Sequence, residues 1–430
     1  MPSYTWLTLT QAQNALAARL ADPNNTFWTL PELLFYIAES LRTWNALTEQ
    51  WNSDFVFSAT PDVVWYPVGT MAGSPRLRTL TDAYLYSVMQ YQLLEPATGA
   101  AAWTGTSQFS LADLQFALQR RRDEMIQVTG CNLWPIGLPS TPNTRRTVFA
   151  DSSLEPRRAR WLPAGGSPVT MNREDNLAWD GFEPSHLQQT GPPANWSVIA
   201  GPPLAMDVDV APNVPGTFDL LSLQSGIPFA PPTATLLCVP DDFSWVAKWG
   251  ALADLLGRES EATDRSRADY CLQRYSDGLK AMKASNWLLL ATLNGVPCDT
   301  PSVRDMDGFS PEWQNNATAW PSLVTAGIDL CAPCPTGNSG VSCTLVGNAP
   351  VPVLPGDFVQ ISRDAFDLIL DYAQHLASFK QGGAEFASTK DLAKNFFQFA
   401  METNKRLAKR GLFSDLLHQE GIRQDEDQPR

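Results

Sequence analysis

The stretch TLPELLFYIAESLRTW, residues 29–44, decides the main prediction about the fold. Thr29 and Glu32 have the spacing of a capping box, and Pro31 lies at an early helical position where its missing N–H costs nothing. Apolar residues recur every three or four positions and give one stripe along a helix: Leu30, Leu33, Leu34, Ile37, Leu41 and Trp44. Because such a stripe must pack on other elements, the sequence predicts a helical core.

Further helices are predicted on both sides of this stretch. An alanine-rich helix precedes it, a helix follows Thr81, and Ser110 with Asp113 has capping-box spacing before a helix that reaches about Val128. Helical periodicity returns after Pro240 as an αα-hairpin. Two more helices are predicted near the end of the chain, at 362–379 and 388–410.

The segment from Cys131 to Pro240 has a different texture. Prolines and glycines alternate there with short β-rich runs such as 147–161 and 233–239, which predicts an inserted β-rich domain. We therefore predict an α+β fold that is mainly an α-helical bundle, assembled from N-terminal, central and C-terminal helices, with this domain and long loops inserted. The predicted divisions are an N-terminal helical region (1–130), the β-rich domain (131–240), an αα-hairpin completing the bundle (241–290), a proline-rich loop or arm (291–355), C-terminal helices (356–411) and a flexible C-terminal extension (412–430).

Composition and charge limit the functions open to this chain. Its 430 residues are 44% hydrophobic and 18% charged, as in a globular protein long enough for a large core. A formal charge of −14 argues against binding the outside of nucleic acid, but it suits a conduit through which DNA passes without sticking. No signal peptide follows Met1, and no apolar run approaches the ~20 residues of a membrane span. We therefore expect a protein made in the cytoplasm, with no membrane role.

Metal sites are weakly indicated. The seven cysteines lie in unrelated contexts, which favours reduced thiols over a disulfide framework. Cys331 and Cys334 have C-x-x-C spacing, and Cys298 and Cys343 could add two thiolates, but structural zinc usually pairs two such clusters. Asp305–Gly308 begins like a calcium loop without the remaining ligands. No metal or cofactor is predicted, and metal binding by the C-x-x-C pair is left open.

Catalytic constellations are equally weak. A serine hydrolase triad would have to use His186, His375 or His418, and His375 lies inside an amphipathic helix. A glycoside hydrolase needs two facing carboxylates, but Asp241 and Asp242 are better explained as charge at a helix N-terminus. We therefore predict that the protein is not an enzyme. Because the sequence has 15 tryptophans, the main alternative is a carbohydrate-active or carbohydrate-binding protein, which a pocket lined by convergent carboxylates would favour.

Three consecutive arginines, Arg120, Arg121 and Arg122, lie on a predicted helix that already carries an apolar stripe. The default interpretation is a solvated helix face. The functional alternative is an ion-pair belt between subunits, where arginine is favoured for its bidentate geometry. These residues are therefore the candidate subunit interface.

Two blocks of the sequence resemble the helical head-to-tail adaptor proteins of tailed bacteriophages, also called connector or neck proteins. The first block comprises 16–22, 27–29, 32–33 and 36–42, and the second comprises 240–242, 248–254 and 268–271. Such adaptors typically form a twelve-subunit ring below the portal, lock onto it through a C-terminal extension and provide the platform for the tail. The β-rich region and the C-terminal block depart from the small members of this class.

The resemblance implies a structural virion protein at the neck of a tailed phage, made in the cytoplasm of the host bacterium. Its expected partners are other copies of itself, the portal protein and tail or nozzle proteins, with DNA passing through the channel without sequence-specific binding. Another tail hub or minor capsid component is a further alternative. By resemblance, the candidate portal-docking residues lie in the C-terminal extension: Leu412, Phe413, Leu416, Leu417, Arg423 and Arg430.

Overall fold

The structure, a computed structural model, describes all residues except 1–5, 59–64, 75–76, 95–107, 167–168, 176–178, 180, 182–184, 186–187, 232, 259–262, 285–287, 295–316, 322–327, 330–341 and 418–430. The helices are α1 (Leu9–Arg19), α2 (Leu30–Thr48), α3 (Asp82–Gln92), α4 (Leu111–Thr129), α5 (Ser244–Gly257), α6 (Arg265–Ala284), α7 (Arg363–Ser378), α8 (Gly383–Ser388), α9 (Lys390–Thr403), α10 (Lys405–Ala408) and α11 (Ser414–Leu417). The strands are β1 (Leu7–Thr8), β2 (Asn52–Ser58), β3 (Trp65–Tyr66), β4 (Leu133–Ser140), β5 (Arg146–Val148), β6 (Ser153–Pro163), β7 (Val169–Arg173), β8 (Asn195–Ile199), β9 (Ala205–Val208), β10 (Gly216–Gln224), β11 (Leu288–Asn294), β12 (Ala317–Pro321), β13 (Ile328–Asp329), β14 (Ser342–Asn348) and β15 (Phe358–Val359).

Helix α2 is the centre of the helical core. Both predicted capping boxes are confirmed: the Thr29 N–H donates to Glu32 Oε2 at 3.4 Å, and the Asp113 N–H donates to Ser110 Oγ at 3.1 Å. From Tyr36 to Thr48 every residue of α2 is buried, so this half of the helix is covered on all sides. It packs against α1, α7, α9 and the short 3-10 helix at 241–243.

The predicted αα-hairpin forms from α5 and α6, which pack closely on each other and on α4. Trp245 and Trp249 are buried in this part of the core. The close approach depends on Gly278, because a Cβ atom there would lie 2.6 Å from Val246 Cγ2. A larger residue at this position would push the two helices apart.

A seven-stranded sheet forms the second half of the architecture, in the order β4-β10-β6-β7-β8-β9-β5. Its neighbours are antiparallel except β7 and β8, which pair in parallel at Asn172↔Asn195 and Arg173↔Trp196. The sheet curls into a nearly closed, barrel-like shape. It encloses its own apolar core, made of Leu138, Phe149, Ala159, Trp161, Met171, Trp196, Met206, Val208, Phe218 and Leu220.

The prediction of a mainly α-helical bundle is therefore wrong, because the protein is mixed α/β with a large barrel-like sheet. Strand pairing is non-local, so the short runs between prolines could not reveal how many strands share one sheet. The predicted β-run 233–239 forms only isolated bridges. There the Thr235 N–H donates to Asp82 Oδ1 and the Leu237 N–H donates to Leu80 O, so this segment braces the start of α3.

Strand β10 belongs to both cores because successive side chains point to opposite faces of a strand. Phe218 and Leu220 lie in the core of the sheet, whereas Leu221 and Leu223 lie in the helical core. Leu133 of β4 joins them on the helical side. The sheet is thus anchored to the helices through side chains of β4 and β10, the two strands at one end of its strand order.

Smaller sheets join the two ends of the chain. Strand β1 pairs with β15 at Thr8↔Phe358, and β3 pairs with β13. Strand β2 pairs with β14 from Asn52↔Asn348 to Ser58↔Ser342, within a four-stranded sheet of order β12-β11-β14-β2. Four of these strands lie in the range that the sequence predicted as a proline-rich arm or its approach: β11, β12, β13 and β14.

Candidate functional site

A cavity of about 520 Å³ opens where α2, the segment 77–80, the 3-10 helix at 241–243 and the segment 348–360 meet. Its apolar walls come from leucine, valine and proline side chains, with the half-buried Trp51 among them. Its polar lining has four charged side chains, Arg42, Asp241, Asp242 and Asp357, and four uncharged ones, Ser74, Thr79, Asn348 and Gln360. The volume and the mixed lining are those of a small-ligand pocket, for which ~300–1,000 Å³ is usual.

Arg42 is held in this cavity by the buried half of α2. Its side chain is only 4% exposed, its Nη1 donates to Tyr84 Oη at 2.6 Å, and its guanidinium carbon lies 5.1 Å from the centre of the Tyr84 ring. Within the described part of the chain, no carboxylate lies within ion-pairing distance of Arg42. A buried guanidinium with most of its donors open to a cavity is uncommon, because buried charges are normally paired.

The two adjacent aspartates differ sharply in their surroundings. Asp241 accepts hydrogen bonds from Thr79 N at 2.9 Å, Thr79 Oγ1 at 2.8 Å and Leu80 N at 3.0 Å, so its carboxylate fixes the neighbouring segment. Asp242 is 9% exposed and accepts one hydrogen bond, from Asn348 Nδ2 to Oδ2 at 3.1 Å. Burial raises the pKa of Asp242 to about 7, although the Asn348 hydrogen bond and the Arg42 charge oppose the shift.

The cavity therefore contains one carboxyl group with an unbonded oxygen, that of Asp242, together with the guanidinium of Arg42. A glycoside hydrolase needs two working carboxyl groups flanking a bond, but Asp241 is already occupied by three hydrogen bonds. From the sequence, both aspartates were expected to be charge at a helix N-terminus, and Arg42 was not predicted as a site residue. The signal available in the sequence was a pair of charged residues, Glu39 and Arg42, in a helix that is otherwise strongly apolar.

The candidate interface arginines are divided between packing and exposure. Arg121 Nε donates to Asp254 Oδ2 at 2.9 Å, and its guanidinium lies 5.0 Å from the Tyr275 ring centre. Arg122 is fully buried, where Nη1 donates to Ile227 O at 2.7 Å and the guanidinium lies 4.2 Å from the Phe229 ring centre. These two side chains therefore hold α4 to its own chain.

Arg120 is the member of the triplet that faces outward. Its side chain is 60% exposed, and its Nη1 atom is 3.9 Å from Asp254. One turn earlier on α4, Phe116 is 71% exposed, the largest exposed fraction among the large hydrophobic residues of the described part of the chain. Phe116 and Arg120 line a surface hollow with Ala112, Gln115, Gln119 and Asp123. We call this set the outer face of α4.

The candidate portal-docking residues are also divided. Leu412 and Phe413 are buried in the helical core, where the Phe413 ring stacks on Phe397 at 4.0 Å between centroids. Leu416 and Leu417 belong to α11 and pack against the same core while partly exposed. Arg423 and Arg430 lie outside the described residues. The buried position of Leu412 and Phe413 corrects the expectation that a free extension begins at 412.

His375 is the one histidine of the predicted triad candidates that the structure describes, since His186 and His418 lie outside it. Its Nε2 is 2.9 Å from Tyr270 Oη and its Nδ1 is 2.9 Å from Thr389 Oγ1. Burial lowers its pKa to about 3, so the ring is neutral near pH 7. With both nitrogens bonded to hydroxyl groups in the core, His375 fixes the packing of α6, α7 and Thr389.

Metal candidates from the sequence fall mostly outside the described residues: Cys298, Cys331, Cys334 and Asp305–Gly308. Among the residues that the structure does describe, no group of three His, Cys, Asp or Glu side chains could hold a metal ion. No helix in that part of the chain is long and apolar enough to cross a membrane.

No protein-family model matches the chain, and no curated protein is significantly similar to it.

Proposed function

We propose that this chain is a structural virion protein, a head-to-tail adaptor that forms a ring of twelve copies beneath the portal. In this role it joins the capsid to the tail and lines the channel through which DNA passes. It works by assembly and carries no catalytic step. Its partners are other copies of itself, the portal protein and tail or nozzle proteins.

The observation that carries this proposal is the way the two adaptor-like blocks meet. Glu39, from the first block, and Lys248, from the second, form a buried ion pair, with Lys248 Nζ 2.7 and 2.6 Å from the two carboxylate oxygens. The ammonium group also lies 4.0 Å from the centre of the Trp249 ring. Two blocks that are far apart in the sequence thus share one helical core, which supports treating them as one adaptor-like unit.

The outer face of α4 supports assembly into a ring. An exposed Phe116 beside an exposed Arg120 has the composition of an interface centre, where aromatic residues and arginine are enriched. Its neighbours Arg121 and Arg122 are fixed within the chain, so α4 presents this face on a rigid support. We assign this face to the contact between neighbouring subunits.

The formal charge of −14 supports a channel role. A negatively charged wall repels the phosphate backbone and keeps DNA from binding as it passes. The same charge disfavours a role in which the protein holds nucleic acid on its outer surface.

The first test is native mass spectrometry with negative-stain imaging of the purified protein, alone and mixed with the portal ring encoded in the same genome. Saturation at one copy per portal subunit is expected. A protein that stays monomeric and does not associate with the portal would overturn the adaptor proposal. Binding at another position in the virion would transfer the chain to a tail hub or minor capsid role.

The subunit contact has a matched pair of variants. Phe116→Ser with Arg120→Glu should abolish ring formation, whereas Leu272→Ser, which removes an exposed apolar residue from α6, should leave the ring intact. Both variants change surface residues, so circular dichroism should report an unchanged fold. Equal ring formation by the two variants would exclude the outer face of α4 as the contact.

A further inference from the structure

The cavity between α2 and the segment 348–360 is lined by charged groups of two kinds, those whose hydrogen bonds are satisfied within the chain and those with open hydrogen-bonding positions. Asp241 is saturated by Thr79 and Leu80, and at the rim Asp357 Oδ2 accepts from Val353 N at 3.1 Å and Leu354 N at 2.9 Å. These two carboxylates therefore shape the walls. Two charged groups are left with open hydrogen-bonding positions.

The open groups are of opposite sign. Arg42 has five N–H donors, of which only Nη1 donates within the described part of the chain, to Tyr84 Oη. Asp242 Oδ1 accepts no hydrogen bond from any described residue, because the single bond from Asn348 reaches Oδ2. Both side chains are more than nine-tenths buried and line the cavity. A single occupant that satisfies both must carry a cationic donor next to an acceptor oxygen.

We propose that this cavity binds a ligand with an α-ammonium group beside a carbonyl or carboxylate oxygen, namely a free α-amino acid or the first residue of a polypeptide. The ammonium group bonds Asp242 Oδ1, and the oxygen accepts from the Arg42 guanidinium. The ligand's side chain lies against the apolar wall formed by Leu77, Leu80 and Val351. A cavity of about 520 Å³ accommodates one residue of this kind.

The site also predicts the pH dependence of binding. The charged groups that act on Asp242 are Arg42 from α2 and Asp241 in its own turn, and Asp357 lines the same cavity. With a pKa of about 7, Asp242 is about one-tenth ionised at pH 6 and about three-quarters ionised at pH 7.5. Because the ammonium ligand needs the ionised form of Asp242, affinity should rise several-fold between pH 6 and pH 7.5.

The test is isothermal titration calorimetry of the full chain with three probes. L-leucine carries both charges, L-leucinamide keeps the ammonium group and a carbonyl oxygen, and N-acetyl-L-leucine keeps only the carboxylate. Binding of L-leucine at least tenfold tighter than L-leucinamide identifies a free amino acid as the ligand, and binding of L-leucinamide as tight as L-leucine or tighter identifies a polypeptide N-terminus. Binding of neither, or equal binding of N-acetyl-L-leucine, overturns the proposal.

Asp242→Asn is the decisive variant, because the new amide oxygen still accepts from Asn348 while the charge is lost. It should weaken binding at least tenfold and abolish the pH dependence. Asp269→Asn, an exposed change on α6, should alter neither. Unchanged binding by Asp242→Asn contradicts the assignment. The probes bind the isolated chain, so failure to form a ring with the portal leaves this result unaffected, and the two proposals fail separately.

Discussion

Replacing Lys248 with methionine should destabilise the helical core by about 3–5 kcal/mol, the cost of removing one partner from a buried ion pair. Because of its burial and short distances, we expect the destabilisation to lie near the upper end of this range. Lys248 is fully buried, and both oxygens of Glu39 lie within 2.7 Å of its ammonium group. The variant leaves the Glu39 carboxylate buried without a counterion and removes the contact with the Trp249 ring.

The assay is the free energy of unfolding from urea titration, followed by tryptophan fluorescence. Glu39→Met with Lys248→Met replaces the pair by apolar groups and should lie within ~1 kcal/mol of the wild type, or above it. Lys280→Met is the matched control, since Lys280 is 52% exposed and lies 3.7 Å from Asp277, and it should cost less than ~1 kcal/mol. A cost below ~1 kcal/mol for Lys248→Met, or a double variant as unstable as the single one, would refute the reasoning.

Three further predictions concern the C-terminus and two buried titratable groups. Deleting 412–430 should destabilise the protein by about 5 kcal/mol or more through loss of the buried Leu412 and Phe413. Deleting only 418–430 keeps both residues and should abolish portal attachment in pull-down assays, and full attachment would contradict the docking role of the extension. Burial raises the pKa of Asp242 to about 7, against ~3.9 unfolded, so its contribution to stability is present at low pH and falls as pH rises from ~4 to ~7. Relative to the wild type, the free energy of unfolding of Asp242→Asn should therefore rise by about 2–3 kcal/mol between pH 5 and pH 8, and equal gaps at the two pH values would contradict this. Burial lowers the pKa of His375 to about 3, so the folded ring stays neutral down to about pH 3, while its contribution to stability falls as pH drops from ~6.5 toward 3. Its imidazole NMR signals should therefore not move between pH 8 and pH 5, and a midpoint near pH 6 would count against burial of the neutral ring.

Local signals in the sequence predicted the helical half of the fold. The capping boxes at Thr29 and Ser110 and the apolar stripe of α2 depend on residues within two turns of each other, so the chain itself contains the information. The αα-hairpin after Pro240 followed from the same periodicity. What the periodicity could not give was the buried ion pair between Glu39 and Lys248, whose partners are distant in sequence.

Non-local pairing explains the error in fold class. The predicted run 147–161 overlaps β5 and β6, but β4 and β10 were not predicted as strands. The union of these strands into one barrel-like sheet depends on partners that are adjacent only in space. The run 233–239 had strand composition yet serves as a brace for α3 through Asp82. Composition predicted that this region is rich in β-structure, but it did not predict the topology of the sheet.

The cavity is harder to predict for the same reason. Arg42 and Asn348 come from opposite parts of the chain, and Asp242 resembles an ordinary acidic residue at a helix start. Burial gives these side chains their chemistry, and burial of a charged residue depends on what packs around it. The candidate docking residues show the opposite case. Phe413 lies near the end of the chain, in a segment predicted to be a flexible extension, but its side chain is buried in the core.

The covering of α2 by helices from the C-terminal part of the chain has a consequence for biosynthesis. The buried half of α2 is covered by α7 and α9, so it cannot be shielded until the ribosome has passed residue 363. At ~5–20 residues per second, the delay after α2 is made is roughly 15–60 s. The seven-stranded sheet uses only residues 133–224 and can close during this interval. The nascent chain can therefore carry a folded sheet while the apolar side chains of α2 are still exposed, the kind of surface that chaperones shield during synthesis.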